Sequence, residues 1–111
     1  MRSNRAFLGE FEQRVLLAIL RSGAEPRPVE IRRELAHASN QAISRGAFYT
    51  TLDRLEAKQL IAWTTVAGTD ARDGLPDRHC QVTPAGIGAL RASRKTLLQL
   101  WSGLEWLLND Q

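Results

Sequence analysis

Apolar residues recur every three or four positions in three successive segments of the N-terminal half, which predicts three amphipathic helices. The segments are GEFEQRVLLAILRSG at residues 9–23, VEIRRELAHA at residues 29–38, and a third that begins at Ser44. Pro28 suits the first position of the second helix, and Ser44 is a good N-cap for the third. Only a short polar break, SNQA, separates these two helices. Two short helices joined by a tight polar turn predict a helix-turn-helix.

Two short segments after the third helix have the composition of β-strands. LIAWTTV at residues 60–66 is rich in β-branched and aromatic residues, and RHCQVT at residues 78–83 follows a turn-rich stretch. Because an isolated hairpin is marginally stable, we expect it to pack on the preceding helices. The sequence therefore predicts a winged helix-turn-helix over residues 1–83, a mainly α fold with a small β-hairpin wing.

The pattern changes again at Thr83, a good N-cap that is followed by proline. From there apolar residues step by three and four, which predicts one long helix within residues 84–111. It has more apolar surface than so small a domain covers by itself, so we interpret it as a dimerisation helix; the alternative is packing on the chain's own first helix. The residues predicted for a dimer interface are Phe7, Phe11, Leu90, Leu97, Leu98, Trp101, Leu104 and Leu108.

Composition narrows the class of protein. The chain has 111 residues, of which 43% are hydrophobic and 24% charged, the balance of one small folded domain. No apolar run approaches the roughly 20 residues of a membrane-spanning helix, and the N-terminus lacks the apolar stretch of a signal peptide. We therefore expect a cytoplasmic protein. The net charge of +3 is modest and by itself only weakly favours a nucleic-acid partner.

Catalytic and metal-binding patterns are not apparent. His37 has no obvious partner, and His79 and Cys80 are adjacent in a predicted strand, so their side chains point to opposite faces. The sequence contains no phosphate loop, HExxH or G-x-S-x-G motif. We therefore expect no enzymatic activity, no cofactor and no metal. Cys80 is interpreted as a small buried hydrophobe, with a redox sensor as the alternative.

Three segments together resemble the PadR-like family of bacterial winged-helix transcriptional regulators, in particular its members with a short C-terminal tail. The segments are LGEFEQRVLLAIL, SRGAFYTTLDRLEAKQLI and VTPAGIGAL, and they span nearly the whole chain. The positions that match the family pattern are Ser44, Gly46, Tyr49, Leu52, Arg54, Leu55, Glu56, Thr83, Gly86, Ala89 and Leu90. The resemblance implies a DNA-binding regulator of transcription.

The sequence departs from that family pattern at three places. Gln59 stands where a glycine usually follows the third helix, and the linker AEPRPVEI lacks the common Tyr-Gly. The wing lacks the usual Gly-Gly-Arg cluster and carries Arg72 and Arg78 among three aspartates. The missing Gly-Gly-Arg cluster leaves open whether the wing contacts DNA, and Gln59 could change the turn into the wing.

The third helix has two faces of different character, which predicts where DNA is read. Phe48, Leu52 and Leu55 share one face, and polar residues and Gly46 lie opposite or on the flank. In helix-turn-helix proteins the N-terminal end of this helix lies in the major groove, where free N–H groups favour phosphate and glycine allows close approach. The residues predicted to contact DNA are Ser44, Arg45, Gly46, Tyr49, Thr50, Arg54, Gln41, Arg32, Arg33, Arg72 and Arg78.

Several of these residues also have an ordinary structural interpretation. Tyr49 could half-bury its ring, Arg54 could pair with Asp53 or Glu56, and Arg45 could be a solvated surface charge. Gln41 in the turn, and Arg32 and Arg33 in the second helix, could equally be exposed polar residues without a partner.

The predicted function is a homodimeric repressor that binds a roughly palindromic operator on double-stranded DNA. Because the family includes regulators that respond to aromatic or lipophilic compounds, Trp101 and Trp106 are candidates for a pocket that takes a small apolar effector. The alternative for both tryptophans is interface packing, and regulation without any effector is a further alternative. A function of a different class is a protein-interaction module on a winged-helix scaffold that has lost specific DNA binding.

Overall fold

Three helices followed by a hairpin and a fourth helix make up the protein, in a computed structural model that describes residues 8–66 and 77–109. The elements are α1 (Glu10–Arg21), α2 (Pro28–Ser39), α3 (Arg45–Ala57), β1 (Ile61–Val66), β2 (Asp77–Val82), α4 (Pro84–Trp101) and a short 3-10 helix (Glu105–Leu108). The predicted fold class, a mainly α winged helix with a two-stranded wing, is confirmed. None of the helices among the described residues is long and apolar enough to cross a membrane.

One apolar core lies between the first three helices and the base of the hairpin. Phe48, Leu52 and Leu55 of α3, which were predicted to face it, are at most 1% exposed. Thr51 is buried beside them, and its hydroxyl donates a hydrogen bond to the carbonyl oxygen of Ala47 at 2.8 Å. The apolar face of α3 is thus fully used in the core, which leaves the opposite face free for another partner.

The hairpin is antiparallel, and its outer edge is covered by the linker between α1 and α2. The register runs from Ile61 opposite Val82 to Val66 opposite Asp77. The Cys80 N–H donates to the carbonyl oxygen of Pro26 at 2.9 Å. This bond satisfies a backbone donor that an edge strand would otherwise expose, and it holds the wing against the helices.

The turn after α3 takes a left-handed conformation at the position where the sequence departs from the family pattern. Gln59 has a φ of 64°, and the Leu60 N–H donates back to the Leu55 carbonyl oxygen at 2.9 Å. A hydrogen bond of this kind is typical of a helix that ends in a left-handed residue, a position that favours glycine. The glutamine therefore keeps the turn at some conformational cost.

A buried ion pair joins α1 to the end of α3. The Lys58 ammonium lies 2.9 Å from both carboxylate oxygens of Glu12, whose side chain is 8% exposed. Glu12 also accepts a hydrogen bond from the Gly9 N–H at 2.9 Å, so one carboxylate caps α1 and holds α3.

The start of α4 is fixed to the same turn. The Thr83 N–H donates to the Leu60 carbonyl oxygen at 3.0 Å, and the Thr83 hydroxyl donates to the Gln59 carbonyl oxygen at 2.8 Å. That hydroxyl oxygen also accepts from the Gly86 N–H at 3.0 Å, which confirms Thr83 as the N-cap. Gly86 is buried in this contact, and a Cβ there would overlap the Leu60 carbonyl. The direction of α4 is therefore set by its first turn.

The C-terminal helix is shorter than the heptad pattern predicted. α4 ends at Trp101, Gly103 has a φ of 88°, and a separate 3-10 helix follows. The predicted continuation of the helix through Leu104 and Leu108 is wrong. The physical reason is Gly103, which reaches the left-handed region without the steric cost that other residues pay.

We expect Gly86→Ala to destabilise the protein by about 1–3 kcal/mol, because its methyl group would be forced against the Leu60 carbonyl. Gly88→Ala is the matched control two residues later in α4, where an added Cβ meets nothing within 4 Å. That change should stabilise the helix by roughly 0.5–1 kcal/mol. Urea unfolding of the two variants checks the pair, and equal midpoints would contradict the close approach at residue 86.

Candidate nucleic-acid interface

The N-terminal end of α3 is an exposed, uncompensated helix terminus. Ser44, Arg45, Gly46 and Thr50 are all exposed, and the first turn of the helix contains no acidic residue. The Ser44 hydroxyl accepts a hydrogen bond from the Ala47 N–H at 3.2 Å, which confirms it as the N-cap. The partial positive charge of the helix end therefore faces solvent, where it favours an anion such as a phosphate group.

Arg45 and Tyr49 form one unit on this surface. The Arg45 guanidinium carbon lies 5.4 Å from the centroid of the Tyr49 ring, and that ring meets Phe48 edge-on with centroids 5.2 Å apart. Tyr49 is half-buried, which is what the structural alternative for this residue predicted. A cation above an aromatic face is attracted to it and keeps its N–H donors available. Arg45 is therefore held near the helix end while still able to donate hydrogen bonds.

Gly46 has no internal reason to be glycine. It lies in the first turn of α3, its φ is not positive, and a Cβ there would lie an ordinary 3.8 Å from the Ser44 hydroxyl oxygen. Glycine in a helix costs roughly 0.5–1 kcal/mol relative to alanine. The side chain that is missing at this exposed position leaves room for the close approach of another molecule.

Arg32 is engaged inside the helix-turn-helix. Its Nε and Nη2 donate to the Ile43 carbonyl oxygen at 3.1 and 2.9 Å. This contact joins α2 to the residue just before the Ser44 cap, so Arg32 orients α3 relative to α2. Arg33 and Gln41, which were predicted alongside it, are exposed.

Arg54 lies in the last turn of α3, away from the exposed N-terminal end. Burial alone raises the pKa of Glu12, but the hydrogen bonds from Lys58 and Gly9, with the charges of Lys58 and Arg54, hold that pKa below its usual range. The ionised carboxylate thus stabilises the fold above its unfolded pKa, and this contribution is lost as the pH falls through the lowered folded value. The Arg54 side chain itself is exposed.

The wing carries a second arginine that is stacked on a ring. Arg78 is exposed, and its guanidinium carbon lies 4.0 Å from the centroid of the Trp63 ring. Trp63 was seen in the sequence only as a strand residue, since its proximity to Arg78 depends on the register of the hairpin. Arg72, the other predicted wing contact, lies outside the described residues.

Cys80 is fully buried at the base of the wing. Burial raises the pKa of its thiol to about 12; the charge of Arg78 opposes this effect and that of Glu56 adds to it. The thiol is therefore protonated at neutral pH and is a poor nucleophile. This accords with a small buried hydrophobe rather than a redox sensor.

The residues predicted for the dimer interface separate into two groups. Phe11 and Leu90 are partly buried against the chain's own core, and Phe7 lies outside the described residues. The others are between 37% and 68% exposed; they are Leu97, Leu98, Trp101, Leu104 and Leu108. Trp106, the second candidate for an effector pocket, is 65% exposed. The end of α4 and the 3-10 helix therefore form a continuous, uncovered apolar segment.

A shallow groove between α1 and α2 provides a further partly apolar surface. It has a volume of about 590 Å³, and its lining includes Leu17 and Leu35, with Arg14 and Arg21 also contributing. Leu17 is 49% exposed. The apolar surface is thus not confined to the C-terminal segment.

No protein-family model and no curated protein matches this chain. Solved structures do match it. A PadR-like transcriptional regulator from Bacillus cereus has a TM-score of 0.68 at 22% identity, over 91% of this chain and 93% of that one. A PadR family transcriptional regulator from Eggerthella lenta has a TM-score of 0.64 at 22% identity, over 91% and 89%. RosR from H. salinarum has a TM-score of 0.67 at 18% identity, over 88% and 81%.

The fold is therefore that of the PadR-like winged-helix regulators, and the resemblance seen in the sequence motifs is confirmed at the level of the fold. The Bacillus cereus and Eggerthella lenta proteins are transcriptional regulators by name.

We expect Arg32→Ala to destabilise the protein by roughly 1–3 kcal/mol, because two charge-assisted hydrogen bonds to the Ile43 carbonyl are lost. Arg33→Ala, at the next position of α2, removes the same charge from an exposed side chain and should change stability by less than about 0.5 kcal/mol. Chemical denaturation of both variants provides the measurement. An equal effect of the two substitutions would show that Arg32 does not hold the turn.

Proposed function

We propose that the protein is a PadR-like transcriptional regulator that acts in the cytoplasm as a homodimeric repressor. The observation that carries this proposal is the exposed N-terminal end of α3, with its uncompensated helix terminus, its ring-held Arg45 and its bare Gly46. These are the features that a helix needs in order to enter the major groove and approach a phosphate closely. DNA is therefore the proposed partner of this surface.

Among the described residues, the cations of this surface are not neutralised by carboxylates. Several other basic residues are paired with carboxylates: Arg14 with Glu10, Arg21 with Glu34, Arg27 with Glu30 and Lys58 with Glu12. Within the part of the chain that the structure describes, Arg45 and Arg33 have no such ion pair. Positive charge that is not neutralised internally remains available for phosphate, and it makes the affinity for DNA strongly dependent on salt.

We call the exposed N-terminal end of α3, residues 44–50, the reading head, and we assign separate roles to its residues. Arg45 and Thr50 contact bases or phosphates, Tyr49 holds Arg45, and Ser44 caps the helix and leaves its end open. Arg33 and Gln41 are proposed phosphate contacts from the adjoining helix and turn. In this proposal Arg32 acts mainly through the fold, because it binds the Ile43 carbonyl, whereas the exposed Arg54 is a proposed phosphate contact near the end of α3.

A second copy of the chain is the proposed partner of the uncovered apolar segment. Contiguous exposed apolar surface on a soluble protein usually marks an interaction site. Here it occupies the end of α4 and the 3-10 helix. In a symmetric dimer, residues 84–111 would join the two winged helices and place their reading heads in successive major grooves of a roughly palindromic operator.

The proposed regulation is relief of repression by a small apolar or aromatic effector. Trp101 and Trp106 are exposed within the same apolar segment, so a pocket at the dimer interface would be lined by aromatic rings. An effector acts if it binds one spacing of the two reading heads better than another.

The DNA-binding proposal is tested with Gly46→Ala. This change should stabilise the fold by roughly 0.5–1 kcal/mol and still weaken DNA binding about tenfold or more, since the new methyl group lies where DNA approaches. Fluorescence anisotropy with the DNA upstream of the protein's own gene, against a scrambled duplex, measures the affinity.

Gly88→Ala is the control for Gly46→Ala, because it makes the same substitution at an exposed helical site on α4. It should stabilise the protein without changing DNA binding. Weak binding that is equal for both duplexes and for all variants would instead favour a protein-interaction module that has lost specific DNA binding.

The dimer proposal is tested with Leu97→Glu, which puts a charge into the exposed apolar segment. We expect the dissociation constant of the dimer to rise at least roughly tenfold, since burying the charge would cost more than burying the leucine gains. Ala92→Glu adds the same charge on another face of α4 and should leave the dimer intact. Sedimentation equilibrium measures both variants, and a monomeric wild-type protein would refute the dimer.

A further inference from the structure

Two arginines in the described part of the chain are held by aromatic rings rather than by carboxylates. One is Arg45 on α3, which lies over Tyr49, and the other is Arg78 on β2, which lies over Trp63. An arginine that is stacked on a ring keeps its full charge and the N–H donors at the edge of its guanidinium group. The second pair lies in the wing, whose role in DNA binding the sequence left open.

The contact between Trp63 and Arg78 follows from the register of the hairpin. Cys80 is opposite Trp63, and Arg78 is opposite Thr65, so Trp63 and Arg78 are diagonal neighbours on one face of the sheet. Their separation of 4.0 Å, from the guanidinium carbon to the ring centroid, is that of a stacked pair. Asp77 is adjacent in sequence to Arg78, but strand alternation directs its carboxylate to the other face.

The position of the indole ring is set by packing. Trp63 is half-buried against the core, and its Nε1 is buried without a hydrogen-bond partner among the described residues. The ring is therefore wedged between the core below and the guanidinium group above. Arg78 itself is exposed, so the stack presents a cation to solvent on a rigid base.

The stack emerges from the face of the hairpin that packs against the helices. Cys80, which shares this face with Trp63 and Arg78, is fully buried, and Glu56 of α3 is close enough to influence its thiol. β1 packs against α3. Arg78 thus projects from within β2, on the same face of the hairpin as Trp63 and Cys80.

We propose that Trp63 and Arg78 form the wing's contact to the DNA backbone. In this contact Arg78 binds a phosphate beside the major groove that α3 enters, and Trp63 is a positioning residue that holds the guanidinium flat. The edge of the guanidinium matches two phosphate oxygens, so a preorganised Arg78 makes a bidentate contact. The inference rests on the proposed function. It moves the wing contact from the loop, where the Gly-Gly-Arg cluster is missing, to the strands.

The test compares the salt dependence of DNA binding for four variants of the full chain. The probe is a duplex that the wild-type protein selects from a randomised library, and the logarithm of the binding constant is measured against the logarithm of salt concentration. Arg78→Ala should reduce the slope by about 0.9, the value for one lost phosphate contact. Trp63→Phe keeps an aromatic face and should retain the wild-type slope, whereas Trp63→Leu should show the same loss as Arg78→Ala.

Arg91→Ala is the control, because it removes an exposed charge on α4 and should leave the slope unchanged. Thermal unfolding of each variant separates folding from binding. A purely structural Trp63 would lower the melting temperature in Trp63→Leu while the slope stayed at the wild-type value, and that result would overturn its positioning role. A wild-type slope in Arg78→Ala would overturn the wing contact while leaving the proposed function intact. Failure of the wild-type protein to select any duplex would overturn both.

Discussion

The turn that follows α3 is the constraint on which the rest of the structure depends. The Lys58 ammonium reaches the buried Glu12 carboxylate of α1, and the Leu60 carbonyl accepts the Thr83 N–H at the start of α4. Gly86 packs so closely against this turn that a larger residue would be displaced. Since α1, α3 and α4 all meet at this turn, the orientation of α3 is fixed relative to α4, the helix whose end carries the uncovered apolar segment.

Such a junction has a mechanical consequence for a dimeric regulator. If the two C-terminal segments are joined, each α3 follows its own α4, because the hydrogen bonds of Thr83 to Leu60 and Gln59 fix the start of α4 to the turn after α3. A ligand between the C-terminal segments then needs to change only the geometry of that interface in order to alter the distance between the two heads. An equilibrium between two such spacings responds to whichever spacing the ligand binds more tightly.

The cations of the protein are held in two different ways, by carboxylates or by aromatic rings, and its modest net charge does not reveal this difference. Carboxylates pair with several cations, and one such pair, between Glu12 and Lys58, is largely buried. Arg45 and Arg78 are instead held by aromatic rings, which orient a cation without cancelling its charge. A net charge of +3 is therefore compatible with individual cations that remain available to bind an anion.

The sequence by itself determined the helices, the hairpin and the caps at Ser44 and Thr83, because periodicity and capping are local properties of the chain. The buried face of α3 followed from the same periodicity. Tertiary structure alone decided that Arg32 turns inward to a backbone carbonyl and that Arg78 stacks on Trp63, since both contacts join residues that are distant in sequence. Gly103 belongs to the same group: glycine adopts helical and left-handed conformations at similar cost, so the heptad pattern did not reveal the end of α4.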